Sequence, residues 1–126
     1  MKKKTPPRRR ISNRRARFDY ELDESIIAGL ALHGSEVRAL RQGHGQLQGA
    51  YVTLRNGELW LINATISGSN GNLITESDKT RVRKVLVKQR EIESMILAKQ
   101  QGKTIVPLEI LTGGRYIKLR LCYWTW

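Results

Sequence analysis

The stretch RVRKVLVKQ, residues 81–89, carries the spacing most suggestive of chemistry. In an extended chain successive side chains point to opposite faces. Arg83, Val85 and Val87 then share one face, and Lys84, Leu86 and Lys88 share the other. The Val85 and Val87 face suits a core. The second shows a leucine between two lysines: two cations that can neutralise phosphates, and an aliphatic group that can pack on a sugar or an unstacked base. A plainer alternative tucks Leu86 half under the following helix and leaves the lysines solvated. Residues 81–90 hold five basic residues (Arg81, Arg83, Lys84, Lys88 and Arg90) and no acid, which favours the contact platform, with Arg81, Arg83, Lys84, Leu86 and Lys88 as its RNA-binding candidates.

A second candidate is GSEVRALRQG, residues 34–43. Ser35 is a plausible N-cap and Glu36 suits the positive end of the helix dipole. Val37 and Leu40 can dock on a core while Arg38 and Arg41, three apart, share the other side as phosphate clamps. Glu36 would orient the arginines or accept from a base or a sugar hydroxyl. The alternative is that all three merely decorate the helix. A third candidate is the last strand, where Tyr116, Lys118, Arg120, Cys122 and Trp124 alternate with an apolar set. They could stack bases and hold phosphates, or Trp124 could simply cover a rim.

Catalysis finds little support. His33 and His44 are the only histidines, and Cys122 is the only cysteine. No spacing of Cys, His or Asp suggests a metal, and no glycine-rich phosphate loop with a lysine is present. No cofactor is implied, and the chain reads as a binding protein, not an enzyme.

The bulk composition agrees. The 126 residues suit one domain, and the formal charge is +12, from 23 basic and 11 acidic residues. Residues 1–17 contribute nine basic residues and no acid. That charge implies a polyanion, and nucleic acid is favoured over a membrane because no amphipathic basic helix with a broad apolar face is visible. The N-terminus is not expected to be a signal peptide, no run is long enough to span a membrane, and a single thiol fits the cytoplasm.

The elements that must position these residues are mostly β. IIAGLAL (26–32) reads as a buried strand, with a helix from Asp23 as the alternative. AYVTLRNGELWLINATI (50–66) reads as a hairpin about Asn56-Gly57, the pair best suited to a type I′ turn. SGSNGNLITESDK (67–79) is a polar loop. REIESMILAKQQG (90–102) is a helix with Ile92, Met95, Ile96 and Lys99 on one stripe. KTIVPLEIL and RYIKLRLCYWTW are strands joined at Gly113-Gly114, with Pro107 at an edge or a bulge. The expected fold is a small six-stranded antiparallel barrel of the oligonucleotide-binding (OB-like) kind with two to three inserted helices. Residues 1–15 are expected as a disordered basic tail and 16–126 as the barrel.

In order along the chain, these pieces resemble a known family. NRRARFDY (13–20) is similar to its N-x-x-A-x-x-[DE]-Y opening, and AGLALHGSEVRALRQG (28–43) to A-G-[IL]-x-L-x-G-x-E-V-K-x-L-R-x-G. NGELWLINATI (56–66) resembles N-G-E-x-W-L-x-N-x-x-I, RVRKVLVKQREI (81–92) resembles R-x-R-K-L-L-L-[HN]-x-R-E-I, and GKTIVPLEI (102–110) resembles G-x-T-[LI]-V-P-L. The family is the small protein B proteins, the SsrA-binding or tmRNA-binding proteins of bacterial trans-translation.

The resemblance implies an oligonucleotide-binding-type barrel that grips the tRNA-like domain of tmRNA at its elbow and stands in for the missing anticodon arm. It implies a monomer that joins elongation factor Tu and alanylated tmRNA to enter stalled 70S ribosomes. The family's RNA-facing residues carry over to Asn13, Tyr20, Glu36, Arg38, Arg41, Asn63, Lys84 and Leu86. Three positions depart from the pattern: Ile27 stands where the family has an RNA-contacting acid, Lys88 where it has His or Asn, and Gly68-Ser69 where it has Pro-Tyr. The chain ends at CYWTW, where the family continues into a basic tail that lies in the mRNA channel. The expectation is a shortened product, or a member that works without that tail. The remaining alternatives are a general basic RNA- or ribosome-associated barrel without tmRNA specificity and a single-stranded DNA-binding module.

Overall fold

In a computed structural model, which describes residues 10–12 and 25–125, the alternating segments become strands of one curled antiparallel sheet. The described elements run β1 (Arg10–Ser12), β2 (Ser25–Leu30), α1 (Gly34–Arg41), β3 (Gly45–Gln46), β4 (Tyr51–Arg55), β5 (Glu58–Ile62), β6 (Thr65–Ile66), α2 (Glu76–Lys79), β7 (Arg83–Leu86), α3 (Gln89–Gln100), β8 (Lys103–Leu111) and β9 (Lys118–Thr125). Seven strands pair in the order β1-β8-β9-β2-β7-β5-β4, and β3 pairs with β6 as a separate ribbon. β4 also comes up against β8, so the sheet curls into a half-barrel.

Local chemistry explains the joints. Asn56 and Gly57 take φ of 55° and 75°, the left-handed pair that a type I′ turn requires, and β4 and β5 leave it in register from Arg55 opposite Glu58 to Tyr51 opposite Ile62. Pro107 lies where the β8–β9 register shifts, a bulge that tolerates its missing N–H. The inner face of the sheet carries Leu59, Leu61, Val85, Leu119 and Leu121, with Leu40 from α1 and Met95 from α3 packed against them.

Four expectations change. The strand count exceeds six because β1 and the two short strands of the β3–β6 ribbon add to the main strands. Arg10–Ser12 pairs with Glu109–Leu111, so three residues expected in the tail belong to the sheet. The cap of α1 is His33, not Ser35: Glu36 reaches back to accept from the His33 backbone N–H at 2.7 Å. In α3 the buried ridge is Ile92, Met95 and Ala98, while Ile96 and Lys99 face out. Steps of three keep that ridge against the sheet, and the step of four to Ile96 leaves it.

The largest correction concerns Glu36 and Arg83. Both were expected at a nucleic-acid surface, and both are sealed inside, at 1% and 0% exposure. Glu36 Oε2 accepts from Arg83 Nε at 3.1 Å and from Arg81 Nε at 2.8 Å, and its Oε1 accepts from Arg81 Nη2 at 2.6 Å. Arg83 spends its other donors on the carbonyls of Ala64, Asp78 and Lys79. One carboxylate thus fastens α1 to β7, and Arg83 fastens β7 to the segments around β6 and α2. Burial pushes the Glu36 carboxyl up, but the hydrogen bonds from Arg81 and His33 and the charge of Arg83 outweigh it and hold the group below its ordinary 4.5.

A carboxylate depressed on folding lends stability that is present above its unfolded pKa and is lost as pH falls through the folded one. Glu36→Gln leaves two guanidiniums without their anion, and it should cost about 3–5 kcal/mol at neutral pH. Urea unfolding from pH 7 downward tests this: the gap between wild type and variant should narrow below about pH 4.5. A gap that stays constant into acid would mean that ionisation of Glu36 does not hold these elements.

Candidate nucleic-acid interface

β7 lies between β2 and β5, and its alternation has a physical anchor. Arg83 and Val85 point inward; Lys84 and Leu86 point out. Leu86 is 48% exposed and lines a groove with Glu91 and Ile92 of the following helix, so it lies outside the interior with part of its surface open. Its neighbour across the ladder is Gly29 on β2, and Gly29 in turn stands opposite Lys118 on β9. A β-carbon on Gly29 would lie 3.4–3.9 Å from Leu86 side-chain atoms, so the leucine leans over the bare glycine. Leu86, Gly29 and Lys118 therefore form one row across three strands. Ile27, 43% exposed, lies two residues from Gly29 on the same face and opposite Arg120.

Cations bracket this aliphatic patch. Lys88 is exposed just past β7, at the N-cap of α3. Lys84 stands opposite the partly exposed Trp60, and its Nζ meets Glu58 Oε2 at 2.8 Å. That pair is solvent-accessible on both sides, so it holds Lys84 weakly and can be exchanged for a phosphate. A groove of about 540 Å³ opens here, lined by Ile27, Leu86, Lys84, Lys88, Glu58 and Glu91 among others. Such a surface can cover a sugar or a splayed base with its apolar centre and hold phosphates at its rim.

The other sequence candidates are dispersed. Asn13 and Tyr20 lie outside the described residues. Asn63 is exposed at φ 66°, in the turn where the chain leaves β5. Arg81 is held by Glu36, its side chain 24% exposed. Arg38 is exposed and donates to Asn72 Oδ1 at 3.2 Å, while Asn72 donates to the Ser35 carbonyl. Arg41 donates to the carbonyls of Thr112, Gly114 and Arg115. Three of its five N–H donors are thus committed to a loop, and its chief work is bracing rather than phosphate binding.

The last-strand face divides. Arg120 Nε donates to Glu109 at 2.7 Å. Cys122 is buried with Val106 and Leu108 under Trp124, so that half is a second small core and not a stacking surface. Burial also pushes the Cys122 thiol up, away from a reactive thiolate. The other half, Tyr116 and Lys118, is open. Lys118 is the contact candidate that single-strand alternation left unranked, because only the register with Gly29 brings it level with Leu86. Among the described residues no group of three or more His, Cys, Asp or Glu side chains is placed to hold a metal, and no helix is long and apolar enough to cross a membrane.

With this geometry in hand, the likenesses of the chain are informative. The family model described as SmpB protein matches residues 10–123. The SsrA-binding protein of Alkalilimnicola ehrlichii is 43% identical over 111 residues, which covers 86% of this chain and 69% of that protein. The SsrA-binding protein of Synechococcus sp. (strain JA-2-3B'a(2-13)) is 41% identical over 113 residues, covering 88% and 73%. A solved chain from "tmRNA-SmpB: a journey to the center of the bacterial ribosome" superposes with a TM-score of 0.72 at 37% identity, covering 91% of this chain and 82% of that one.

Proposed function

The chain belongs to the SmpB protein family, and from that premise we propose that it binds tmRNA through the face around Leu86 and acts with that RNA on the ribosome in trans-translation. The observation that carries the reading is Leu86 itself, a half-exposed aliphatic group on the outside of a central strand, with Lys84, Lys88 and Lys118 about it. A folded protein gains nothing by leaving such a group in water beside a groove that carries Lys84 and Lys88 along with Glu58 and Glu91, whereas an RNA that presents an unstacked base or an exposed ribose covers it. The relatives are named for binding SsrA RNA, and the superposed chain comes from a tmRNA complex at the ribosome. Both support a binding role.

The finer reading follows from the same chemistry. The bend of the tRNA-like domain, where loops present bases away from a duplex, is the part of tmRNA that suits a patch of this size. The lysines grip its backbone, and the +12 charge of the chain speeds encounter with the polyanion. The protein works in the cytoplasm as a monomer that rides with tmRNA, and elongation factor Tu joins through the RNA. The departures at Ile27 and Lys88 alter this surface in one direction: they remove a carboxylate and add a cation, and both changes favour a phosphate-rich ligand.

Two measurements test the reading. Wild type should prefer the tRNA-like domain to ordinary tRNA and to a random duplex at physiological salt, and Leu86→Asp should erase that preference while leaving the unfolding midpoint nearly unchanged. Equal affinity for all three RNAs in the wild type would end the proposal. Glu58→Gln should free Lys84, tighten binding by up to about five-fold and steepen the slope of log K against log salt by roughly 0.7–0.9, one added phosphate contact. An unchanged slope would show that Lys84 never reaches a phosphate.

A further inference from the structure

The loop between β8 and β9 holds an aromatic ring in the open. Tyr116 is 67% exposed, and the Arg115 guanidinium lies 5.6 Å from its ring centroid. Tyr116 lies in the bend two residues before Lys118, the residue of β9 that stands in the Leu86 row, and the buried Ile117 (6% exposed) lies between them. The loop is tied from outside: Arg41 Nη1 donates to the carbonyls of Thr112 at 2.8 Å and Gly114 at 2.9 Å, and Nη2 donates to that of Arg115 at 2.8 Å. A glycine-bearing loop that would otherwise sample many shapes is fixed at three points by one planar cation from α1.

We propose that Tyr116 is a base-stacking platform, a second RNA contact beyond the Leu86 patch. This rests on the RNA-binding reading above. The ligand element is an unpaired nucleobase lying on the open face of the ring, with its phosphate beside Lys118. Arg115 covers part of the ring and adds its charge to the electrostatic fit. An aromatic ring set among Arg115, Lys118 and Arg41 suits a base on a polyanionic chain far better than an apolar protein partner, and it continues the cationic surface that already runs from Lys88 through Leu86 to Lys118. Arg41 is a positioning residue: it touches no ligand, but it holds the loop so that the ring is presented before binding, which lowers the ordering cost on association.

The test compares variants of the full chain against the tRNA-like domain of tmRNA across a salt series. Tyr116→Ala should weaken binding roughly 5- to 100-fold, the range for loss of one stacked base, with the slope of log K against log salt unchanged, because no ion contact is lost. Tyr116→Phe keeps the ring and should bind as wild type. Arg41→Lys keeps the charge but loses the three-point grip, so it should weaken binding. The double variant Arg41→Lys/Tyr116→Ala should then be no weaker than Tyr116→Ala alone, since both act through one contact. Wild-type affinity in Tyr116→Ala, a loss that arrives with a shallower salt slope, or additive losses in the double variant would each overturn the proposal. Failure of the underlying reading looks different: there the wild type itself shows no preference for the tRNA-like domain.

Discussion

The Glu36 carboxylate lies between Arg81 and Arg83 where water does not reach, and the layout of the outer surface follows from that contact. Alternation along a strand has a period of two, so a slip of one residue would turn every side chain of β7 to the other face. Drawing the Arg83 guanidinium inward to Glu36 and to three backbone carbonyls blocks that slip. With Arg83 inside, Val85 must also be inside, and Lys84 and Leu86 must be out. The same carboxylate caps its own helix through the His33 N–H, so the end of α1 and the register of β7 are fixed together. A largely buried ion cluster thereby decides which residues of β7 face outward.

A division of labour among the cations follows. Arg41, Arg81, Arg83 and Arg120 are turned on the protein itself, where a planar fork can satisfy two or three fixed acceptors at once. Lys88 and Lys118 stay exposed, and Lys84 is held only by an accessible partner. Point charges on flexible stems suit a phosphate backbone whose positions are not fixed in advance. The net charge alone conceals this split, because it counts structural and available cations alike.

What was legible in the sequence was mostly local. The period of two in residues 83–88 was enough to place Leu86 outside, and Asn56-Gly57 announced the hairpin because only such a pair accepts two left-handed positions in succession. The five motifs that resemble the small protein B family pointed to the half-barrel and to tmRNA, and the matched family and relatives agree. The misses share a cause. Glu36 and Arg83 are 47 residues apart in the chain, and a charged residue read alone is assigned to water. Arg41 was read as a phosphate clamp because its acceptors lie more than seventy residues away. Lys118 gained its meaning only from a neighbour on another strand. The face of β9 looked uniform on paper and splits in space, since Trp124 and Cys122 close over Val106 and Leu108.

That closure gives the molecule a direction. At the β8–β9 end the sheet is apolar on both sides, with the main core beneath and the Val106–Leu108–Cys122 cluster above. Val106, Leu108 and Cys122 are covered there, so those side chains are offered to no base, whereas Ile27, Leu86, Tyr116 and Lys118 stand exposed. The border of the landing ground is thus drawn by where the sheet closes over itself as much as by where its charges lie.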